Sequence, residues 1–459
     1  MKKLLAITAG KILIFLSRML GNQGTDFPGR AARKIYPGIL KNLAGNIQEE
    51  IFIVTGTNGK TTTTNMIASI LRGKGYSLVH NTAGANMLSG ITTAFIEASD
   101  LLGRRQFDYA LLEVDEAFVP LLIKEARPRV VIITNFFRDQ LDRYGELDHT
   151  INLIKDGVRE TDIELVLNGD DPLISHFHNE TGLHCWYYGF DQTIYDTLDS
   201  MESREGRYCV FCGHELDYKI YHYAQLGQFS CPQCANHNPD MNFLGNKLKM
   251  NPFIEMNVND LPIKSPYQGF YNAYNILAAV SAARLVGIED TIIQKAIAGY
   301  RPRAGRMENF IINGKRTVLI LVKNPTGLNQ TLSTLLYDTK SKNLFIALND
   351  NAADGRDISW IWDADVEMLA DAKARIAYVV CSGQRSGDMA VRIKYSGIDF
   401  SIINIKSGLD EAIEMATAGP GETNYILSTY TALFECQKIL KKLEKDDRSE
   451  VVGQRQLEA

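Results

Sequence analysis

The stretch "IFIVTGTNGKTTTT", residues 51–64, decides the fold. Residues 51–55 are apolar or β-branched and read as a buried strand. A glycine-containing turn follows, and a helix is expected over about 60–73. Strand, glycine loop and helix form the context in which Gly-Lys-Thr acquires a meaning. Glycines let backbone N–H groups approach phosphate oxygens, the lysine adds a point charge, and the next hydroxyl can reach a magnesium ion. Gly56, Thr57, Asn58, Gly59, Lys60, Thr61 and Thr62 are therefore candidate ATP-binding residues, with Lys60 also catalytic. The spacing is GxxGKT, tighter than the common GxxxxGKS/T loop.

Further strand-like runs at 76–80, 107–114, 129–134 and 163–168 alternate with helical stretches. This alternation implies a mostly parallel sheet with helices on both faces. "LLEVDE", 111–116, puts Glu113, Asp115 and Glu116 at a strand end near the expected phosphate edge. Glu113 is a candidate magnesium ligand beside Thr61. A solvated acidic loop is the plainer reading of its neighbours.

Around 190–265 the pattern breaks into short polar and aromatic segments. Cys209-x2-Cys212 and Cys231-x2-Cys234 lie there, eighteen residues apart, with Gly213 and Pro232 beside them. That spacing matches a structural zinc ribbon over about 205–238, whose thiolates would fill a tetrahedral shell. Cys185, Cys381 and Cys436 read as core residues. Helices are expected at 271–286 and near 290–299, then a linker, "YRPRAGRME", with Pro302 and Gly305 as breakers. Alternation restarts with strands at 316–322, 343–348, 376–381, 401–405 and 424–428.

The expected architecture is α/β. A central P-loop ATPase domain, 1–305, carries the inserted four-cysteine ribbon. A C-terminal Rossmann-like α/β domain spans 306–445, and 446–459 is a charged tail. The chain has 459 residues, 45% hydrophobic and 22% charged, with a net charge of −5. An acidic balance without basic runs argues against a broad nucleic-acid surface. "MKKLLAITAGKILIFLSRML", 1–20, resembles an export signal at first sight. Lys11 and Arg18 interrupt it, and its helical periodicity fits a docking or core helix, with membrane-surface contact the lesser alternative. The chain reads as cytoplasmic, at most peripheral at the inner face of a membrane.

"LNDNAADGRD", 348–357, crowds Asp350, Asp354 and Asp357 into a loop with no local nucleophile. It should follow a strand at the carboxyl edge of the second sheet. A carboxylate there could orient a histidine belonging to another polypeptide, as the third member of a triad does. Backbone-capping aspartates are the structural alternative.

These residues resemble a known family. GTNGKTT with "TNFFRDQLD", 134–142, is similar to the central domain of Mur ligases and folylpolyglutamate synthases. In the family's pattern Asn272 and Asn275 of "YNAYNILAA" match the adenine-site helix. Arg306 of "GRME" matches the linker arginine, and Asn324 of "KNP" the start of the C-terminal domain. The ribbon and the ADGRD loop bring the chain closer to the Mur ligase-like subunits of lipid II isoglutaminyl synthase. That resemblance implies ATP, Mg2+ and Zn2+ as cofactors, lipid II as substrate and a GatD-like glutamine amidotransferase subunit as partner, with no nucleic acid. It implies ATP-dependent amidation of the α-carboxylate of D-glutamate in the stem peptide, through an acyl phosphate and ammonia from the partner. It favours Asp357, then Asp354, as the acid completing the partner's triad. Gln140 and Lys323 stand where many Mur ligases carry histidines. The phosphate loop begins at Gly56, so no domain for a nucleotide-linked substrate is expected before it, and Lys155 lies near the position of the family's carbamylated lysine. A stand-alone amino-acid ligase and a nucleic-acid-dependent zinc-ribbon NTPase are the competing readings.

Overall fold

The computed structural model describes residues 1–457 except 21–23, 82–84, 138–146, 199–204 and 302–304, with side chains described to 447. Gln140 and Pro302 lie outside the described residues.

The first sheet is built from β1 (Ile47–Thr55), β2 (Leu78–His80), β3 (Phe107–Glu113), β4 (Val130–Ile133), β5 (Glu164–Asn168) and β6 (Cys185–Phe190). A separate hairpin, β7 (Asp217–Tyr223) and β8 (Leu226–Ser230), follows. The chain then rejoins the sheet as β9 (Phe243–Lys249), β10 (Ile254–Val258) and β11 (Leu261–Ser265). Their order is β11-β10-β9-β6-β5-β4-β1-β3-β2. It is parallel from β2 to β9 and antiparallel at the β10–β11 edge. β1 is central, and side chains alternate across it. Phe52 and Val54 enter one core, Ile51 and Ile53 the other. A strand buried on both faces explains why 51–55 carries no polar alternation.

The module that leaves this sheet is shorter than the break in sequence pattern suggests. Only the segment between β6 and β9 departs. The strands β9–β11 return as an edge meander with one face buried and the other open, as the alternation of buried Ile254, Met256 and Val258 with outward Glu255 and Asn257 shows.

The second sheet holds β12 (Arg306–Ile312), β13 (Lys315–Leu321), β14 (Lys342–Ala347), β15 (Ile376–Ser382), β16 (Ile403–Ile405) and β17 (Thr423–Ser428), in the order β12-β13-β17-β14-β15-β16. All pairs are parallel except β12–β13. Arg306, expected in a linker, is therefore the first residue of an edge strand. A final helix runs from Tyr430 to Leu457, carrying regular backbone through the segment read as a charged tail.

The Lys60–Lys74 helix opens with four threonines, poor helix formers in isolation. Tertiary packing supports them: Thr62, Thr63 and Thr64 are buried. The Phe270–Leu285 helix is apolar on nearly all sides and almost wholly buried, as a helix enclosed by other elements should be.

Candidate active site

The loop after β1 is shaped by two glycines with positive φ, Gly56 (115°) and Gly59 (87°). A Cβ at Gly59 would stand 2.1 Å from Asn275 Oδ1, so neither backbone strain nor space admits a larger residue. Gly59 is also the N-cap of the Lys60–Lys74 helix and provides no side-chain cap. The first-turn N–H groups are thus left for an anion, with the helix dipole in support.

Lys60 Nζ donates to Gly56 O at 2.5 Å and to Glu116 Oε1 at 2.8 Å. Burial alone would lower the lysine pKa, but Glu116, Asp115 and Glu113 outweigh it and raise it. Lys60 therefore stays charged. Thr61 Oγ1 donates to Glu113 Oε1 at 3.0 Å, so the two oxygens are close enough to share one hard cation. Burial pushes the Glu113 carboxyl up; Lys60, Arg306 and Lys323 partly offset this. Asn81, which no motif marks, fixes the Glu113 backbone: its Oδ1 accepts from Glu113 N at 2.9 Å and its Nδ2 donates to Glu113 O at 2.7 Å.

The other walls come from distant chain segments. Asn275 Nδ2 donates to Asn272 Oδ1 at 3.3 Å, and Thr63 Oγ1 donates to Asn275 Oδ1 at 3.4 Å. From the second sheet, Arg306 Nη2 approaches Thr61 Oγ1 at 3.5 Å, and Asn324 Nδ2 donates to Asn58 Oδ1 at 3.2 Å. Asn58, Gly59, Thr62, Asn272, Asn275, Arg306 and Asn324 line one pocket, joined by Tyr223, Tyr271 and Lys323. Tyr223 lies on β7, beyond the reach of motif reading. This cleft between two sheets, with Asn58, Asn272, Asn275 and Asn324 set in a largely apolar wall, can hold a nucleotide; Gly59 is the candidate for the phosphates, and Thr61 and Glu113 are the candidates for a magnesium ion.

Lys155 is buried; its ammonium pairs with Glu180 and lies 3.0 Å from His176 Nε2. Burial, then the Lys155 charge, lowers the His176 pKa to about 4, leaving that imidazole neutral.

The acidic loop divides into distinct roles. Asp354 is buried, accepting from Thr431 N at 2.7 Å and Thr431 Oγ1 at 2.5 Å at the start of the last helix. Asp350 pairs with Arg385 at 2.6 Å. Asp357 is exposed, accepts from Ser359 N at 2.8 Å, and lines an open groove with Ile358, Trp362 and Val391. Tyr430 feels charges from both this loop and the cleft. Burial raises its pKa, Glu113 and Asp354 add to the shift, and Arg306 opposes it.

Cys209, Cys212, Cys231 and Cys234 bring their sulfurs within 4.8 Å of one another. Two pairs lie at 3.6 and 3.5 Å. Tetrahedral zinc with Zn–S near ~2.3 Å needs sulfur edges of roughly 3.8 Å, so the donor set fits. Cys381 is buried, and burial alone pushes its thiol up to about 12, which suits a core residue and not a nucleophile.

Residues 54–283 match the Mur ligase middle domain model, and residues 321–433 match MurT ligase C-terminal. The pseudomurein peptide ligase type C of Methanothermus fervidus superposes with a TM-score of 0.65 at 22% identity, covering 86% of this chain and 79% of that one. Fold and cleft together define an ATP-dependent ligase of the Mur type. Two curated relatives narrow this. The MurT subunit of the glutamine-hydrolysing lipid II isoglutaminyl synthase of Staphylococcus aureus strain COL is 38% identical over 88% of this chain and 90% of its own length. The corresponding subunit of Streptococcus pneumoniae strain R6 is 35% identical over 96% and 97%. The chain belongs to the MurT family.

Proposed function

We propose that this chain is the synthetase subunit of an amidotransferase that converts the α-carboxylate of D-glutamate in the lipid II stem peptide to an amide, giving D-isoglutamine. One observation carries the reading. Arg306 and Asn324 from the second sheet meet Thr61 and Asn58 of the glycine loop, so both halves of the chain close on one anion-binding cleft.

The chemistry has two stages. The substrate carboxylate attacks the γ-phosphorus of ATP, giving an acyl phosphate and ADP. Ammonia then attacks the acyl carbon and phosphate leaves. Lys60 and the first-turn N–H groups hold the phosphates, and Arg306 meets the charge that grows on the transferring group. Thr61 and Glu113 would hold magnesium, which supplies further neutralisation of phosphate charge. Asn272 and Asn275 face the base and ribose side of the cleft.

Ammonia comes from a GatD-like glutaminase subunit. Glutamine hydrolysis needs an activated thiolate. Outside the cysteine cluster, the thiols of Cys185, Cys381 and Cys436 are all raised by burial. Asp357 is the acid offered to the partner's histidine, because it is exposed beside a groove while both oxygens of Asp354 are held by Thr431. The four cysteines hold a structural zinc ion, with no position left for substrate.

The test is isotopic. The reconstituted pair is given glutamine, ATP and lipid II labelled with heavy oxygen in the D-glutamate carboxylate. Transfer of label into inorganic phosphate is expected, together with formation of the amide. Amide without labelled phosphate would overturn the acyl phosphate route.

A further inference from the structure

The Lys2–Met19 helix buries one face, through Ala6, Ile7, Gly10 and Ile14. Its opposite face is also apolar and lies open. Leu5 is 60% exposed, Ile12 52%, Phe15 63% and Met19 70%. Their spacing makes a single stripe along the helix. A helix apolar on both faces is expected to be covered on both.

The segment that carries this stripe is rich in cations, although Glu97 pairs with Arg18 and Asp100 lies near Lys11. Residues 1–45 contain eight lysines and arginines and one acid, Asp26, in a chain whose net charge is −5. Beside the helix's first turns lies the loop "LLGRR", 101–105, tied down by Lys3 Nζ donating to Gly103 O at 2.8 Å. Leu101, Leu102, Arg104 and Arg105 of that loop are all exposed. Open apolar side chains set among cations match an anionic bilayer interface, where the apolar groups enter the acyl boundary and the cations meet phosphate headgroups. Among the described residues no helix is long and apolar enough to cross a membrane, so this helix would lie along the surface.

We infer that the outer face of the Lys2–Met19 helix, with the 101–105 loop, is a docking surface for an anionic lipid bilayer. Docking would hold the cleft beside a lipid-linked substrate, which is where the inference rests on the proposed function.

The experiment uses the full chain and vesicles free of lipid II and ATP, so vesicle docking and amidation can fail separately. Co-sedimentation is measured with vesicles of equal parts phosphatidylglycerol and phosphatidylcholine, and with phosphatidylcholine alone. Binding to the anionic vesicles that weakens with salt is expected. The triple variant Ile12→Ser/Phe15→Ser/Met19→Ser should reduce it roughly tenfold or more, with an unchanged melting temperature because these side chains face outward. Arg104→Gln/Arg105→Gln tests the charge contribution without touching the helix and should also weaken binding. No binding by the wild-type chain, or equal binding by the triple variant, would overturn the inference. So would a wild-type dimer that the triple variant dissociates without any vesicle binding, or a triple variant that no longer captures the glutaminase subunit. Either result would give the face to a protein neighbour.

Discussion

Asn324 Nδ2 donates to Asn58 Oδ1 at 3.2 Å, joining the start of the second domain to the glycine loop of the first. The same side chain caps the Pro325–Tyr337 helix, accepting from Gly327 N at 2.8 Å. Asn324→Ala should cost about 1 kcal/mol of stability through the lost cap. The larger effect should fall on nucleotide affinity, since the cleft loses a tie between its walls. Thermal melting and titration with a fluorescent ATP analogue separate the two. Equal small effects on both would mean that the contact only caps.

Glu113 gives the cleft a pH dependence of known sign. Burial raises its pKa, so in the nucleotide-free chain it takes up a proton at higher pH than an ordinary glutamate. At the proposed magnesium site, the ion must displace that proton. The magnesium concentration needed for ATP turnover should therefore rise as pH falls. Glu113→Gln should raise the requirement at every pH and flatten its pH dependence. A magnesium requirement independent of pH in the unaltered chain would remove Glu113 from the metal site.

The aspartates of the 348–357 loop should behave differently on mutation. Asp354→Ala strips the last helix of a carboxylate that accepts from both Thr431 N and Thr431 Oγ1. It should lower stability by roughly 1–3 kcal/mol. Asp357→Asn removes an exposed charge and should leave denaturant unfolding unchanged. An equal loss in both variants would mean that Asp357 too is structural.

Removal of the proposed zinc ion should be felt at the cleft. The hairpin between the two cysteine pairs is anchored to the first sheet's side of the chain: Gln225 Nε2 donates to Phe136 O at 2.6 Å, and Gly227 N donates to Asp170 O at 3.0 Å. Tyr223 on β7 lines the nucleotide pocket. A strong chelator, or Cys231→Ser, should lower the melting temperature and also weaken nucleotide binding. Loss of metal without change in nucleotide affinity would show that the ribbon moves independently of Tyr223.

Much of the fold was legible because parallel strands buried on both faces are continuous apolar runs, and 51–55 is followed by a loop that only glycines can build. The same runs placed most strands to within about two residues, but β1 begins at Ile47, earlier than the apolar run at 51–55 because its first residues are polar. The edge strands β9–β11 were harder to see. They are short, half polar and separated from their sheet by the cysteine module, so local pattern gave them no partner. Arg306 was legible as a family residue but not as a strand residue, because β12 follows a proline- and glycine-containing stretch. Within the site, charged and glycine positions stood out. Asn81 and Tyr223 did not, since their role depends on what folding brings beside them. The resemblance ranked Asp357 ahead of Asp354, but the residue types and spacing alone did not separate them; burial and the Thr431 contacts distinguish them.

The most direct measurement compares glutamine-dependent with ammonium-dependent amidation of lipid II by the complex carrying Asp357→Asn. If this chain forms the acyl phosphate while Asp357 serves only the partner's triad, the variant should lose amidation from glutamine and retain it from added ammonium. Parallel loss of both would put Asp357 in the ligase reaction itself. Retention of both would mean that the partner completes its own triad, contradicting the shared site.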